Sequence, residues 1–436
     1  MSHAVDSYYQ ASRRYDLGAP ALRGVQRASV AIIGGGITGV STALHLAERG
    51  VDAAVLEARD FGWGASGRSG GQILTGYSIE QSALERLAGA DAARELWRHS
   101  LDAVAWTRER IARHDIACDF TPGYLHVAVS PRQARELRRW AEHLRARYGC
   151  DTLEYLDRNR LRQTLASARY SGAVADSASA HLHPLNYCLG LADAAQRAGA
   201  RLYRDSAVTR IEPTTARAGA TTTGGVTLHT AHGALRCERV VYACNAYLDR
   251  LQPRLARTIM PVGTYIVATE PLGADFADAL IANRAAVADT NLVLDYYRLS
   301  ADHRMLFGGR VSYSTRPPRH LARSLRRRML RVFPQLNRAR IDFAWGGYVA
   351  ITRNRAPHIG RLDDVGWFAQ GFSGQGMALS GYAGGLLADA VSGDSRRLEA
   401  FAAIPHKAFP GGALRMPTLV IGMAARRALD AVTRRG

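Results

Sequence analysis

The sequence predicts an α/β fold of mixed α+β character, in which a parallel sheet is interleaved along the chain with a second, mostly antiparallel one. Three observations predict it. The β-branched run Ser29-Val-Ala-Ile-Ile33 leads through a glycine turn into a helix-periodic segment and a second strand, the βαβ unit of a parallel sheet. Between residues 264 and 310, three strand-like runs follow one another with turn signals between them, as in an antiparallel sheet. No repeat or low-complexity linker separates the two patterns, and 436 residues leave room for roughly two to three domains of about 100–200 residues.

Composition narrows the chemistry. With 47% apolar and 22% charged residues the chain is ordinary globular material, and no apolar stretch reaches the roughly 18–20 residues of a membrane span. The first residues lack a basic segment followed by an apolar core, so no secretory signal is expected. Five scattered cysteines without a CxxC argue against a disulfide framework and fit a reducing cytoplasm. The formal charge is +19, but Lys407 is the only lysine and the other 56 basic residues are arginine. That bias reads as a habit of composition rather than an electrostatic design. It also excludes a Walker A loop, which needs Gly-Lys-Ser/Thr. Schiff-base chemistry would have to use Lys407, which sits in a turn-rich tail.

The glycine turn is Gly34-Gly-Gly36-Ile37-Thr38-Gly39, a GxGxxG between strand and helix. Gly34 permits the tight turn, Gly36 lets the backbone approach a pyrophosphate, and Gly39 lets helix and strand pack closely. The helix N-terminus offers free N–H groups to the phosphates. The strand Ala53–Leu56 then ends at Glu57, about 20 residues beyond Gly36, where an acid bonds ribose hydroxyls. Ala58 and Arg59 continue that corner. A second small-residue loop follows at once, Gly64-Ala65-Ser66-Gly67-Arg68-Ser69-Gly70-Gly71-Gln72. An extended ligand lying along a backbone needs such residues, which favours FAD over NAD.

Further elements follow in order. Residues 79–113 carry helical spacing over two helices, 123–129 a strand, and 131–148 a charged helix. Residues 201–204 and 207–211 read as strands, 214–225 as a hairpin turn, and 239–245 as a buried strand ending in Ala243 and Asn245. Arg319–Arg340 reads as a basic, solvated helix. Trp367–Gly376 is a strand and loop opening a small-residue helix through Leu387.

Four of these segments, 33–39 with Glu57, the 64–72 loop, 240–245 and Gly371-Phe-Ser373-Gly374-Gln375-Gly376, resemble the FAD-dependent D-amino-acid-oxidase superfamily over nearly the full length. Three features look most like its bacterial γ-glutamylputrescine oxidase group: Ser7-Tyr-Tyr, the 62–72 loop, and Trp345-Gly-Gly with 351–360. The resemblance implies an FAD-binding, Rossmann-like domain from residues 1–80, 155–250 and 340–436, and a substrate domain from 81–154 and 251–339. It implies that the backbone at Val208 faces the adenine, that 66–72 runs beside the ribityl chain, that Gly347 borders the flavin, and that Gly371 to Met377 passes under its pyrimidine end. Family members with covalent flavin carry a cysteine around 347–352. None follows Cys244 here, so non-covalent FAD is expected. Sarcosine-oxidase-like members carry a lysine where Ala378 stands, which argues against sarcosine.

The implied reaction is oxidation of a small-molecule amine by hydride transfer to flavin N5, giving aldehyde and ammonia, with O₂ as acceptor and hydrogen peroxide as product. Candidate substrate contacts are Gln72, Tyr265, Tyr297, Arg310, Tyr348 and Gln375. Arg310 could pair a carboxylate bidentately, and the tyrosines could box an aliphatic amine or simply pack in their sheet. The His181/His183 alternation is not accompanied by an acidic or cysteine cluster, so no metal is expected. Two rivals remain. One is an FAD dehydrogenase passing electrons to a membrane quinone, with the Arg-rich stretch 416–429 in peripheral contact with an anionic surface. The other is a nucleic-acid-modifying flavoprotein, supported only by the basic charge; no nucleic-acid partner is expected.

Overall fold

Ile33, the last residue of the first long strand, pairs with Leu56 on one side and Tyr242 on the other, and all three strands run parallel. A computed structural model of the chain describes residues 6–213, 225–291, 293–312 and 320–410, with backbone alone at 310–312. From edge to edge, the first sheet's main path runs His358–Arg361, Gly366–Gln370, Gly233–Tyr242, Gly24–Ile33, Ala53–Leu56 and Arg201–Tyr203. Only the His358–Arg361 edge is antiparallel on this path, and a hairpin of Arg210–Pro213 and Val226–His229 extends the Gly233–Tyr242 strand. The order places Gly24–Ile33 where the chain switches direction across the sheet, the position at which open α/β sheets leave a crevice beyond their strand ends.

Among the described residues the second sheet has nine strands, mostly antiparallel, running from Ile341–Ile351 through Met260–Thr269, Met305–Ser312, Tyr296–Leu299, Ala286–Asp289, Thr121–Ala128 and Gly172–His181 to Gln72–Ile73; Leu153–Asp157 pairs alongside. The mixed fold and the interleaving are as the sequence predicts. The interleaving is finer than residue blocks, because Gly172–His181 and Ile341–Ile351 hydrogen-bond in the second sheet although they lie in stretches assigned to the first domain.

Each face of the second sheet is apolar for a different reason. Ile266, Ala268, Leu306 and Trp345 join the large core shared with the first domain. Tyr265, Val267, Tyr297 and Phe307 point the other way and pack on Leu325 and Met329 of the basic helix, which spans Leu321–Val332. Strand alternation makes that division: residues two apart share a face. The basic helix is shorter than the sequence suggested, since it ends at Phe333 and Pro334 opens a separate 3₁₀ turn. Ala207–Thr209 is not part of a strand, which begins only at Arg210, although Thr209 N–H already donates to His229 O at 2.9 Å. The hairpin turn expected at 214–225 (all but its last residue) and the Arg-rich stretch 416–429 lie outside the described residues.

Candidate active site

Two helices begin side by side at the end of the parallel sheet. The Ile37–Ala47 helix is buried throughout, and the Met377–Val391 helix runs parallel to it. Ser41 Oγ donates to the Gly381 carbonyl at 2.6 Å, and one turn further His45 stands against Gly385. Gly39 is forced: a Cβ there would stand 1.9 Å from the Gly34 carbonyl oxygen. Gly34 itself has φ +110°, and a Cβ would meet the Ala243 oxygen at 2.7 Å. Ala243 N–H donates to Ile33 O at 2.8 Å, so the glycine turn is clamped between the ends of two strands.

The first helix opens with no side-chain cap at Gly36. The Ile37 N–H donates to Ser66 Oγ at 2.9 Å, whereas the N–H groups of Thr38 and Gly39 take no acceptor among the described residues. Free donors at a helix N-terminus, with the positive end of the dipole behind them, make an anion site. Glu57 closes the other side. Its Oε2 accepts from Gly35 N–H at 2.6 Å and its Oε1 from Arg59 N–H at 2.9 Å. Burial raises the carboxyl above its ordinary pKa, and those two N–H groups oppose the rise. Ala58 and Arg59 are exposed. Glu57 N–H and O bond Tyr203 and Ser206, which brings the half-buried Val208 segment to the same corner.

From Gly64 the loop forms a 3₁₀ turn at Ala65–Gly67, and Ser69 Oγ lies 3.0 Å from Met377 Sδ at the start of the second helix. The loop thus spans the two helix N-termini. Facing it, Gly371 N–H donates to Asn245 Oδ1 at 3.0 Å, and Ser373 Oγ accepts from Thr352 N–H and donates to Gly371 O. Gly374 has φ +101° with nothing within 4 Å of where a Cβ would stand, and Gly376 precedes the helix. Gly347 lies against Arg68, whose side chain crosses it.

The substrate candidates separate. Gln72 Nε2 donates to Val287 O at 3.1 Å, and Gln375 Nε2 reaches Thr75 O at 3.4 Å, so both border the loops. Tyr348 is half-buried, edge-on to Tyr247 at 6.0 Å. Tyr265 and Tyr297 stand apart from the loops: both lie in the core on the far face of the second sheet. Tyr297 stacks on Phe307, meets Phe333 edge-on, and shares a hydroxyl contact of 3.1 Å with Tyr170. Their strand parity sends them there. The Arg310 side chain lies outside the described residues.

Parity also identifies what the sequence reading passed over. Tyr296 and Arg298, one step either side of Tyr297, face the loop. A Cβ on Gly70 would meet Tyr296 at 3.0 Å, and Arg298 Nε donates to Gly70 O at 2.8 Å. Trp345 Nε1 donates to Arg68 O at 3.0 Å, and the guanidinium groups of Arg59 and Arg68 both lie over the Trp63 ring, 4.3 and 4.0 Å from its centre. An arginine between aromatic and aliphatic strand residues, as in Tyr296-Tyr-Arg-Leu299, was the available signal. His181 and His183 are held by Arg284 O and Ser12 Oγ, and burial depresses both to about 3, with the Arg298 cation adding to it.

The donor set fits a dinucleotide carrying a flavin: unsatisfied N–H groups at one helix N-terminus, an acid bonded to the glycine turn at the end of the next strand, an open glycine cradle at the second helix, and a small-residue loop between them. The family model for FAD dependent oxidoreductases (DAO) matches residues 29–390. The chain is 42% identical over 426 residues to gamma-glutamylputrescine oxidoreductase of Escherichia coli strain K12, covering 97% of this chain and 98% of that protein. It is 40% identical to a probable oxidoreductase, OrdL, of Haemophilus influenzae, over 94% of this chain and 93% of that one. Among solved structures, glycine oxidase from Geobacillus kaustophilus superposes with a TM-score of 0.72 at 23% identity, covering 88% of this chain and all of that one.

Proposed function

The chain belongs to the FAD dependent oxidoreductase family, and from that premise we propose that it oxidises γ-glutamylputrescine, a primary amine with a carboxylate at its far end, to the aldehyde and ammonia while O₂ is reduced to hydrogen peroxide. The observation that carries the substrate is the 42% identity over nearly the full length of a relative named for that compound. FAD, when bound, supplies the hydride acceptor at N5.

The protein's part is placement and charge. The N–H groups of Thr38 and Gly39 hold the pyrophosphate, and Glu57 accepts from the ribose. The Met377–Val391 helix directs its N-terminal dipole at the negative charge that reduction creates. Gln72, Gln375 and Tyr348 are the polar groups assigned to the amine end, and Arg310 to the carboxylate. Tyr296 takes the place first given to Tyr297. FAD is held without a covalent bond in this proposal. Cys188 and Cys244 turn their thiols towards the Gly35 and Ile33 carbonyls, and burial raises the Cys244 thiol to about 12. A cytoplasmic location is part of the same reading, supported by cysteines that are all free. No helix of the described residues is long and apolar enough to cross a membrane.

Anaerobic addition of γ-glutamylputrescine to the yellow holoenzyme tests the proposal, with putrescine, glycine, sarcosine and D-alanine in parallel. Bleaching by γ-glutamylputrescine, then recolouring and peroxide on admission of air, is expected. Bleaching with slow recolouring would move the acceptor from O₂ to a quinone or other carrier. No bleaching by γ-glutamylputrescine would end the substrate assignment.

A further inference from the structure

Arg298 is 4% exposed, and every acceptor it has is neutral. Its Nε donates to Gly70 O at 2.8 Å, its Nη2 to Leu182 O at 2.9 Å and Tyr9 Oη at 3.2 Å, and its Nη1 to Leu299 O at 3.3 Å. Among the described residues no carboxylate forms an ion pair with it. The acids nearest in sequence are committed elsewhere, Asp295 to Arg328 and Asp302 to Tyr8, Ser300 and Arg304. The imidazoles of His181 and His183 beside it stay neutral. Buried arginines are ordinarily paired, because removing a bare cation from water is costly. Here the charge is left standing.

Its location gives that charge a use. Gly70 and Gly71 directly follow the loop stretch from Ser66, bonded to the first helix, to Ser69, in contact with the second. A cofactor reaching both helix N-termini would lie along that loop. A Cβ on Gly71 would stand 2.1 Å from Leu182 O and 3.2 Å from Arg298 Nη2, so the loop rests directly on the guanidinium. Four of the five N–H groups are engaged with protein, which makes Arg298 an electrostatic support rather than a substrate contact.

We propose that Arg298 is a positioning residue that holds the Gly70–Gly71 loop and, as an uncompensated buried cation, stabilises the negative charge FAD gains on reduction, so raising the midpoint potential of the bound flavin. Adding a hydride to FAD delivers two electrons and one proton, leaving one net negative charge on the ring system. In a low-dielectric interior a fixed cation acts on that charge more strongly than it would in water. The inference rests on family membership and not on which amine is oxidised.

The test uses holoenzyme of three variants, Arg298→Lys, Arg298→Gln and Arg298→Met, with potentials set by dithionite titration against reference dyes. No amine is needed, so failure of the substrate assignment leaves the result intact. Arg298→Gln keeps amide donors but removes the charge, and Arg298→Lys keeps the charge but loses the planar fork that reaches Gly70 and Leu182 together. The expected result is a more negative potential in Gln and Met and a near-native one in Lys, with FAD affinity weakened most in Met. An unchanged potential in Arg298→Gln overturns the proposal. So does an equal fall in Lys and Gln, which would assign the effect to loop geometry alone. If Met fails to retain FAD, the Lys and Gln pair still decides.

Discussion

Gly384 lies so close to Thr38 that a Cβ on it would stand 2.7 Å from the Thr38 carbonyl oxygen and 2.6 Å from Ser41 Oγ. The closeness sets how near the two helix N-termini come, and with it the span a cofactor must bridge. Gly384→Ala therefore pushes the helices apart. Overpacking of this kind costs about 1–3 kcal/mol, and the expected outcome is a lower melting temperature together with an FAD dissociation constant raised at least about tenfold, read by fluorescence of released flavin. Native affinity in this variant would show that the spacing does not matter to the cofactor.

Glu57 accepts two backbone N–H groups at once. Glu57→Gln turns one oxygen into a donor facing a donor. Hydrogen bonds to a charged group are worth about 1.5–3 kcal/mol, so FAD affinity should weaken by roughly tenfold or more. Purified protein should emerge partly colourless, and added FAD should restore it along a right-shifted titration curve.

The neighbours Tyr296 and Tyr297 are predicted to separate stability from kinetics. Tyr297→Phe loses the hydroxyl contact with Tyr170 in a dry core. That should cost about 1 kcal/mol of stability and leave the rate of anaerobic flavin bleaching within about twofold. Tyr296→Phe loses the 3.2 Å contact with Thr264 Oγ1 beside the Gly70 loop. It should change the bleaching rate with little change in melting temperature. The opposite pattern would reverse the assignment of the two faces.

Stability should fall on mild acidification. Burial depresses His45, His181, His183 and His358 to about 3, with neighbouring arginine cations adding for the first three and His406 for His358. Above pH about 6.5 these rings are neutral in both folded and unfolded chains. As pH falls from there towards 3, the unfolded chain binds protons that the folded one refuses, so folding stability is lost through that window. The melting temperature at pH 5 should lie below that at pH 7.5, and His183→Gln should flatten part of the slope. A melting temperature that holds level across the range would contradict the buried, neutral rings.

What could be read from sequence was what local spacing encodes. Gly34, Gly36, Gly39 and Glu57 stand at fixed intervals because one turn and one helix end dictate them, and the parallel sheet follows from the strands on either side. The choice between Tyr296 and Tyr297 was not encoded locally. Both residues suit a strand, and only the packing of Phe307, Phe333 and the Leu321–Val332 helix decides which face is the core. Arg298 was hidden for a related reason: its acceptors, Gly70, Leu182 and Tyr9, come from more than 100 residues away along the chain. Long-range placement of a single polar side chain has no periodic signature.

The pairing of Ile33 with Tyr242, and of Tyr242 with Phe368, also sets a timetable for synthesis. A ribosome making this chain releases the glycine turn early, but two strands of its sheet and the second helix emerge only after some 200 and 350 further residues. The nascent N-terminal third can pair Gly24–Ile33 with Ala53–Leu56 but waits with the other edge of that apolar strand open. Such non-local pairings close slowly and leave partly folded chains prone to aggregate. The residues fitted to FAD come together only when these late elements have joined the sheet, and a ligand that binds the folded state alone stabilises it. Flavin supply during expression should govern how much soluble protein is recovered as well as how much of it is active.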